Sequence, residues 1–205
     1  DWSSDVCSSD LSWAFDFGAQ YRLNYNKEDY FVLGATFSPA IKMTPELISS
    51  STRRAVLGMG HTGRSVARFW KEQGLPFIAM DTRPDLSSSP VMKEELDGIE
   101  AHFGEIDPRL MSQIDLMIAS PGIAMDSPAI TLAQAHGVEV RGDIDLFVAE
   151  AKSPVIGITG SNGKSSVTTF VGQLLTFCGK RVAVGGNLGV PALELLNDPP
   201  DVYVL

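Results

Sequence analysis

The chain has 205 residues, 44% hydrophobic and 20% charged, enough apolar content for one packed domain and part of another. Its formal net charge of -9 excludes a sequence-independent nucleic-acid binder, which needs a basic stripe to replace counterions along the phosphates. Cys7 and Cys178 stand outside any metal-ligand or CxxC spacing, so neither a zinc site nor a disulfide framework is expected, and no apolar run reaches the roughly 20 residues of a membrane helix. The first residues lack a basic start followed by an apolar core, so no signal peptide is read, and the acidic balance fits a cytoplasmic enzyme that engages neither nucleic acid nor membrane.

Residues 1–11, DWSSDVCSSDL, carry no helical or strand period and resemble the translation of a sequencing-adapter oligonucleotide; they are set aside as an artefactual leader. From Ser12 to Tyr25, apolar residues fall on every second position (Trp13, Phe15, Phe17, Ala19, Tyr21, Leu23, Tyr25) against Asp16, Gln20, Arg22 and Asn24, which is strand periodicity. A polar turn at Asn26 to Asp29 leads into a second alternating run, Phe31, Leu33, Ala35 and Phe37, closed by Ser38 and Pro39. The two form a predicted β-hairpin. Its aromatic-rich strands resemble a hairpin of an outer-membrane β-barrel, with a soluble hairpin as the alternative. A lone hairpin cannot close a barrel, so it implies no membrane role. Residues 12–42 are read as a foreign, non-native hairpin, with Met43 as the true start of the remaining chain.

A short strand, Ala55 to Leu57, runs into Gly58-Met59-Gly60-His61-Thr62-Gly63 and then a helix, the GxGxxG pattern between strand and helix. In that pattern the first glycine permits a tight turn, the second lets backbone approach a phosphate, and the third lets helix pack on strand. A second strand, Phe77 to Met80, delivers Asp81 near the distance at which a dinucleotide fold places an acid on a ribose hydroxyl, which keeps NAD binding open. The alternation continues with a helix near Val91 to Gly98, a strand near Leu116 to Ser120, a helix near Pro128 to His136 and a strand at Val138 to Val140. A parallel doubly wound sheet is expected, with the glycine loop, Asp81-Thr82-Arg83 and Ser120-Pro121-Gly122 at the carboxyl ends of its strands.

The strand Val155 to Ile158 feeds Thr159-Gly160-Ser161-Asn162-Gly163-Lys164-Ser165-Ser166 and a helix whose predicted apolar face is Val167, Phe170, Val171, Leu174 and Cys178, with Cys178 in the core and Gly179 as C-cap. Backbone amides of such a loop wrap phosphates, Lys164 neutralises the β and γ oxygens, and the Ser165 hydroxyl can ligate Mg²⁺. The loop departs from GxxxxGK[ST], because Ile158 stands where the first glycine belongs.

That departure is itself informative: ITGSNGKSS, Ile158 to Ser166, resembles the ATP loop of the Mur ligases, which carry Gly-x-Asn-Gly-Lys. The likeness extends through GMGHTG, MDTR (Met80 to Arg83), ASPG (Ala119 to Gly122), GDIDLF (Gly142 to Phe147) and GGNLGVPAL (Gly185 to Leu193), in the order of the family's D-glutamate-adding branch, and covers residues 44–205. It implies an α/β chain: a Rossmann-like parallel-sheet UDP-binding domain over 43–152, then the truncated start of a P-loop ATP-binding α/β domain over 153–205. The implied enzyme is a monomeric ATP-dependent acid–amino-acid ligase of cytoplasmic peptidoglycan precursor synthesis. It joins D-glutamate to UDP-N-acetylmuramoyl-L-alanine, with ATP and Mg²⁺.

The resemblance assigns the UDP-sugar to His61, Thr62, Asp81, Thr82, Arg83, Ser120, Pro121, Gly122 and Asn187, and ATP to Gly160, Ser161, Asn162, Gly163, Lys164, Ser165 and Ser166. Lys164 would stabilise the transferring phosphoryl and Ser165 would help hold the metal. Asp143 is expected as a helix cap. The chain stops on the strand Val202 to Leu205, before the family's magnesium-binding glutamate and D-glutamate domain, so no turnover is expected of this polypeptide and an exposed sheet edge is. The competing readings are an NAD-binding Rossmann oxidoreductase, which leaves Lys164 unexplained, and a barrel protein, which leaves most of the chain unexplained.

Overall fold

The computed structural model describes residues 51–160, 162–186 and 189–205, together with the backbone of 21–26 and 29–33. Strands β1 (Tyr21–Asn26) and β2 (Asp29–Leu33) pair antiparallel, with Leu23 opposite Phe31 and an irregular register between Asn24 and Asn26. The expected hairpin is present there. Its outer reaches, residues 12–20 and 34–38, lie outside the described residues.

Five parallel strands form the main sheet: β3 (Arg54–Leu57), β4 (Phe77–Asp81), β5 (Glu100–Phe103), β6 (Leu116–Ala119) and β7 (Glu139–Gly142). Their order is β5-β4-β3-β6-β7, so the chain winds outward in one direction from β3 and then in the other from β6. The switch between β3 and β6 opens a crevice at their carboxyl ends, where ligands of doubly wound sheets sit. Helices α1 (His61–Glu72), α2 (Pro90–Glu95) and α3 (Pro128–Ala135) make three of the four crossovers, a 3₁₀ turn (Pro108–Gln113) makes the one from β5 to β6, and α4 (Asp143–Glu150) comes after β7.

The sheet is covered on both faces, so its central strands are buried throughout. Side chains alternate along β3: Ala55 and Leu57 join Met80, Met117 and Ile130 in one core, while Val56 joins Val66, Trp70, Ile118, Leu146 and Phe147 in the other. Ser89 and Ser127 cap α2 and α3 by accepting from the amides three residues on, and each precedes a proline at the first helical position.

The second sheet has three parallel strands, β8 (Val155–Ile156), β9 (Val182–Val184) and β10 (Val202–Val204), in the order β8-β10-β9. Helix α5 (Lys164–Phe177) crosses from β8 to β9. As expected, Gly179 takes a left-handed conformation, φ +80°, just past the helix, and the amides of Gly179 and Lys180 return to the carbonyls of Thr176 and Leu175.

Two local expectations are corrected. The face that α5 turns to the sheet carries Thr168 and Gly172, whereas Phe170 and Leu174 are exposed by 65% and 50%, and Cys178 is an exposed free thiol, not core. The cause is Gly172: a Cβ there would lie 2.6 Å from Val184 Cγ2, so the helix rests its smallest residue on β9 and rotates its larger apolar residues outward. Asp143 is the first residue of α4, not its cap; the back-bond is made by Asp145, whose carboxylate accepts from Gly142 N at 2.9 Å.

Candidate functional site

The glycine loop between β3 and α1 is fastened by its neighbours. Gly58, at φ +90°, donates its amide to Met80 O at 2.7 Å, and its carbonyl accepts from Ser120 Oγ at 2.6 Å. Gly63 has no room for a side chain: a Cβ would stand 1.8 Å from Gly58 O, so helix and strand touch backbone to backbone as the sequence predicts. Gly60 is different, because a Cβ there meets nothing within 4 Å. That space lies at the start of α1, whose N-cap has no side-chain partner and whose first turn holds no acid, so its amides and the helix dipole are available to an anion.

Asp81 ends β4, only 2% exposed, and is fully engaged inside the chain. Its Oδ2 accepts from Met59 N at 2.6 Å and Arg83 Nη2 at 2.7 Å, and its Oδ1 accepts from Arg83 N and Arg83 Nε, both at 2.9 Å. Those four bonds use all the lone-pair sites of a carboxylate. Burial alone pushes the Asp81 carboxyl up, but the Arg83 side chain and the amides of Arg83 and Met59 outweigh it and hold the group below its usual range. A ribose-binding acid needs free carboxylate oxygens, and Asp81 could offer one only by giving up a bond to Arg83 or Met59. Sequence distance locates it correctly; its hydrogen bonding has no signal in the sequence.

The remaining residues stand at the carboxyl ends of β3, β4 and β6. His61, Thr82, Arg83, Pro121 and Gly122 are exposed, and Thr62 and Ser120 are half-buried. Ile123, which sequence reasoning does not single out, packs where a Gly58 side chain would go, 3.1 Å away. Asp143 lies at the end of the neighbouring β7, 6% exposed; burial pushes its carboxyl up against the opposing pull of the Asp143 and Ile144 amides.

The second loop leads from β8 into α5. Gly163 is the N-cap, left-handed at φ +75°, and Lys164 opens the helix with its ammonium donating to Gly160 O across the loop. Asn162, Lys164, Ser165 and Ser166 are exposed. Ser161 and Asn187 lie outside the described residues. Among the described residues, no three His, Cys, Asp or Glu side chains cluster as a metal site, and no helix is long and apolar enough to cross a membrane.

Residues 52–142 match the family described as Mur ligase MurD-like, N-terminal domain. The chain carries a Mur ligase N-terminal domain of the MurD-like kind. It is 46% identical over 159 residues to the UDP-N-acetylmuramoylalanine--D-glutamate ligase of Pseudomonas syringae pv. syringae (strain B728a), a match covering 78% of this chain and 36% of that protein. The ligase of the same description from Saccharophagus degradans is 46% identical over 165 residues, again 78% of this chain and 36% of that protein. The chain thus spans about a third of the length of the curated relatives it matches. A solved pseudomurein peptide ligase type C from Methanothermus fervidus is 26% identical, with a TM-score of 0.43, over 76% of this chain and 32% of that one. The MurD-like domain includes β3 to β7 and holds the glycine loop, Asp81-Thr82-Arg83 and Ser120-Pro121-Gly122.

Proposed function

We propose that this protein serves an ATP-dependent ligase that joins D-glutamate to UDP-N-acetylmuramoyl-L-alanine in the cytoplasm, during peptidoglycan precursor synthesis. The observation that carries the reading is the 46% identity to a UDP-N-acetylmuramoylalanine--D-glutamate ligase over a stretch longer than residues 52–142. In this reading residues 43–152 hold the UDP-sugar and 153–205 begin the ATP-binding domain. The crevice above β3 takes the UDP end: the α1 amides and Gly60 receive the pyrophosphate, and His61, Thr62, Thr82, Arg83, Ser120, Pro121 and Gly122 surround it. Asp81 serves this site by holding Met59 and Arg83 in place.

At the second loop the amides of Gly160 to Gly163, with Asn162, Ser161 and Ser166, wrap the ATP phosphates. A substrate carboxylate oxygen attacks the γ-phosphorus and ADP leaves; the D-glutamate amine then attacks the acyl phosphate carbon, losing a proton as phosphate departs. Lys164 neutralises the charge of the transferring phosphoryl, so its work is electrostatic and not proton transfer. The hydroxyl of Ser165, a hard oxygen donor in the first turn of α5, fits Mg²⁺ carried on phosphate oxygens, where the ion would shield their charge. Asn187 would contact the sugar-peptide.

The saturated carboxylate of Asp81 weighs against the NAD oxidoreductase alternative. Calorimetric titration of the chain with UDP-N-acetylmuramoyl-L-alanine, with NAD in a parallel cell, tests the choice. Binding of the UDP-sugar without NAD is expected. NAD binding alone, or silence from both in a chain with a folded circular-dichroism spectrum, overturns the proposal.

A further inference from the structure

Units within one chain ordinarily meet through modest, polar interfaces and move against each other. The contact between the two sheets here is of another kind. The crossover from β9 to β10 contains a 3₁₀ turn, Ala192–Asn197, that packs against α1 and α4 on one face of the main sheet. Ala192 is 0% and Leu193 2% exposed, and both belong to the same apolar core as Val56, Trp70, Leu146 and Phe147. Phe147 of α4 meets Tyr203, on the central strand of the second sheet, edge to face at 5.0 Å between ring centres. The core of the first sheet is therefore completed by side chains from the second.

Polar contacts rim this core. Arg68 of α1 pairs with Glu194 at 3.0 Å, one turn along from Arg64, which binds Glu95 through Nε and Nη2, both at 2.6 Å. Ser153, in the connection between the sheets, donates its hydroxyl to Pro200 O at 2.6 Å. Helix α1, which begins at the glycine loop, is thus tied to α2 on one side and to the second sheet on the other.

We infer that Ala192, Leu193 and Glu194 are positioning residues that weld the phosphate-loop sheet onto α1 and α4, so that the glycine loop and the phosphate loop ride on one cooperative unit. The inference rests on the proposed function only for what the loops hold. If they hold the UDP-sugar and ATP, the weld meets a requirement of the chemistry, since phosphoryl transfer needs the two reactants at a fixed separation.

Hydrogen exchange monitored by mass spectrometry on the full chain, without ligand, tests the weld independently of that reading. In the unmodified chain, peptides carrying β3 and β10 are expected to open together, with equal protection. Leu193→Ala separates them, β10 exchanging at least about tenfold faster than β3, because the second sheet loses its seat first. Ile130→Ala, an equal truncation in the opposite core, speeds both by the same factor, and Leu193→Met restores joint opening. Should Leu193→Ala fail to fold, the unmodified chain and Arg68→Ala carry the same comparison, with a smaller separation expected from the latter. Unequal protection of β3 and β10 in the unmodified chain, or a Leu193→Ala profile that matches Ile130→Ala, overturns the inference.

Discussion

Replacing Asp81 with asparagine removes one charge and turns one carboxylate oxygen into an NH₂ donor, which faces either Met59 N and Arg83 Nη2 or Arg83 N and Arg83 Nε. The Met59 bond is buried and charge-assisted, a class worth about 1.5–3 kcal/mol. The Arg83 pair contributes less, roughly 0–1 kcal/mol, because the arginine side chain is 54% exposed and can turn to water. Asp81→Asn is therefore expected to cost about 1.5–4 kcal/mol, roughly 3–16 °C in melting temperature for a chain of this size. Urea unfolding of both proteins at pH 7 measures the difference directly, and a pH series gives its origin. The folded-state carboxyl titrates below its ordinary value of 3.8, so its contribution is complete above that pH and is lost as pH falls through the folded-state value. The deficit of the variant should be full at neutral pH and close in acid. A loss under about 0.5 kcal/mol at pH 7, or a deficit that persists unchanged into acid, would refute the claim that this carboxylate fastens the loop.

The two glycines of the first loop should respond oppositely to alanine. Gly63→Ala has no space beside Gly58 O and should cost more than about 3 kcal/mol or prevent folding, read as midpoint or yield. Gly60→Ala, with open space and φ -76°, should leave stability within about 0.5 kcal/mol while weakening binding of the UDP-sugar in a calorimetric titration. The Asp115 carboxyl, held by the Arg53 guanidinium and amide, should titrate at about 2 by NMR and return toward its ordinary value in Arg53→Ala. Lys164→Met should weaken Mg-ATP binding about 10–100-fold, the loss of one charge-assisted contact, without moving the unfolding midpoint; unchanged affinity would remove Lys164 from the phosphate site.

The inner strands are legible because burial on both faces writes them as apolar runs: Ala55 to Leu57, Phe77 to Met80 and Leu116 to Ile118 all lie in strands. Edge strand β5, Glu-Ala-His-Phe, is only half-buried and carries no such run, so periodicity does not reveal it. Strand β9 is three residues long, and helix α4 hides inside a motif whose leading acid reads as a cap. The apolar stripe of α5 predicts burial of Phe170, Leu174 and Cys178, but a stripe reports only that a face is apolar, while the small residues Thr168 and Gly172 decide which face reaches the sheet. At the site, spacing locates Asp81 and Ser120 at the ends of their strands. It cannot tell that both side chains are spent on the loop itself.

The two loops consequently stand in different states of readiness. The first has its Gly58 amide and carbonyl and its Asp81 carboxylate already committed to internal partners, so it keeps its shape without ligand, and a phosphate bound as proposed above would meet a formed cradle. In the second, Lys164 already donates to Gly160 O, so on the function proposed above an ATP phosphate would compete with that carbonyl for the three donors of the ammonium. A charged acceptor is the stronger partner, so such binding would shift the bonding within the loop itself. Rigidity is thus concentrated where a sugar nucleotide would be oriented, and adjustment where phosphate charge would change during the reaction.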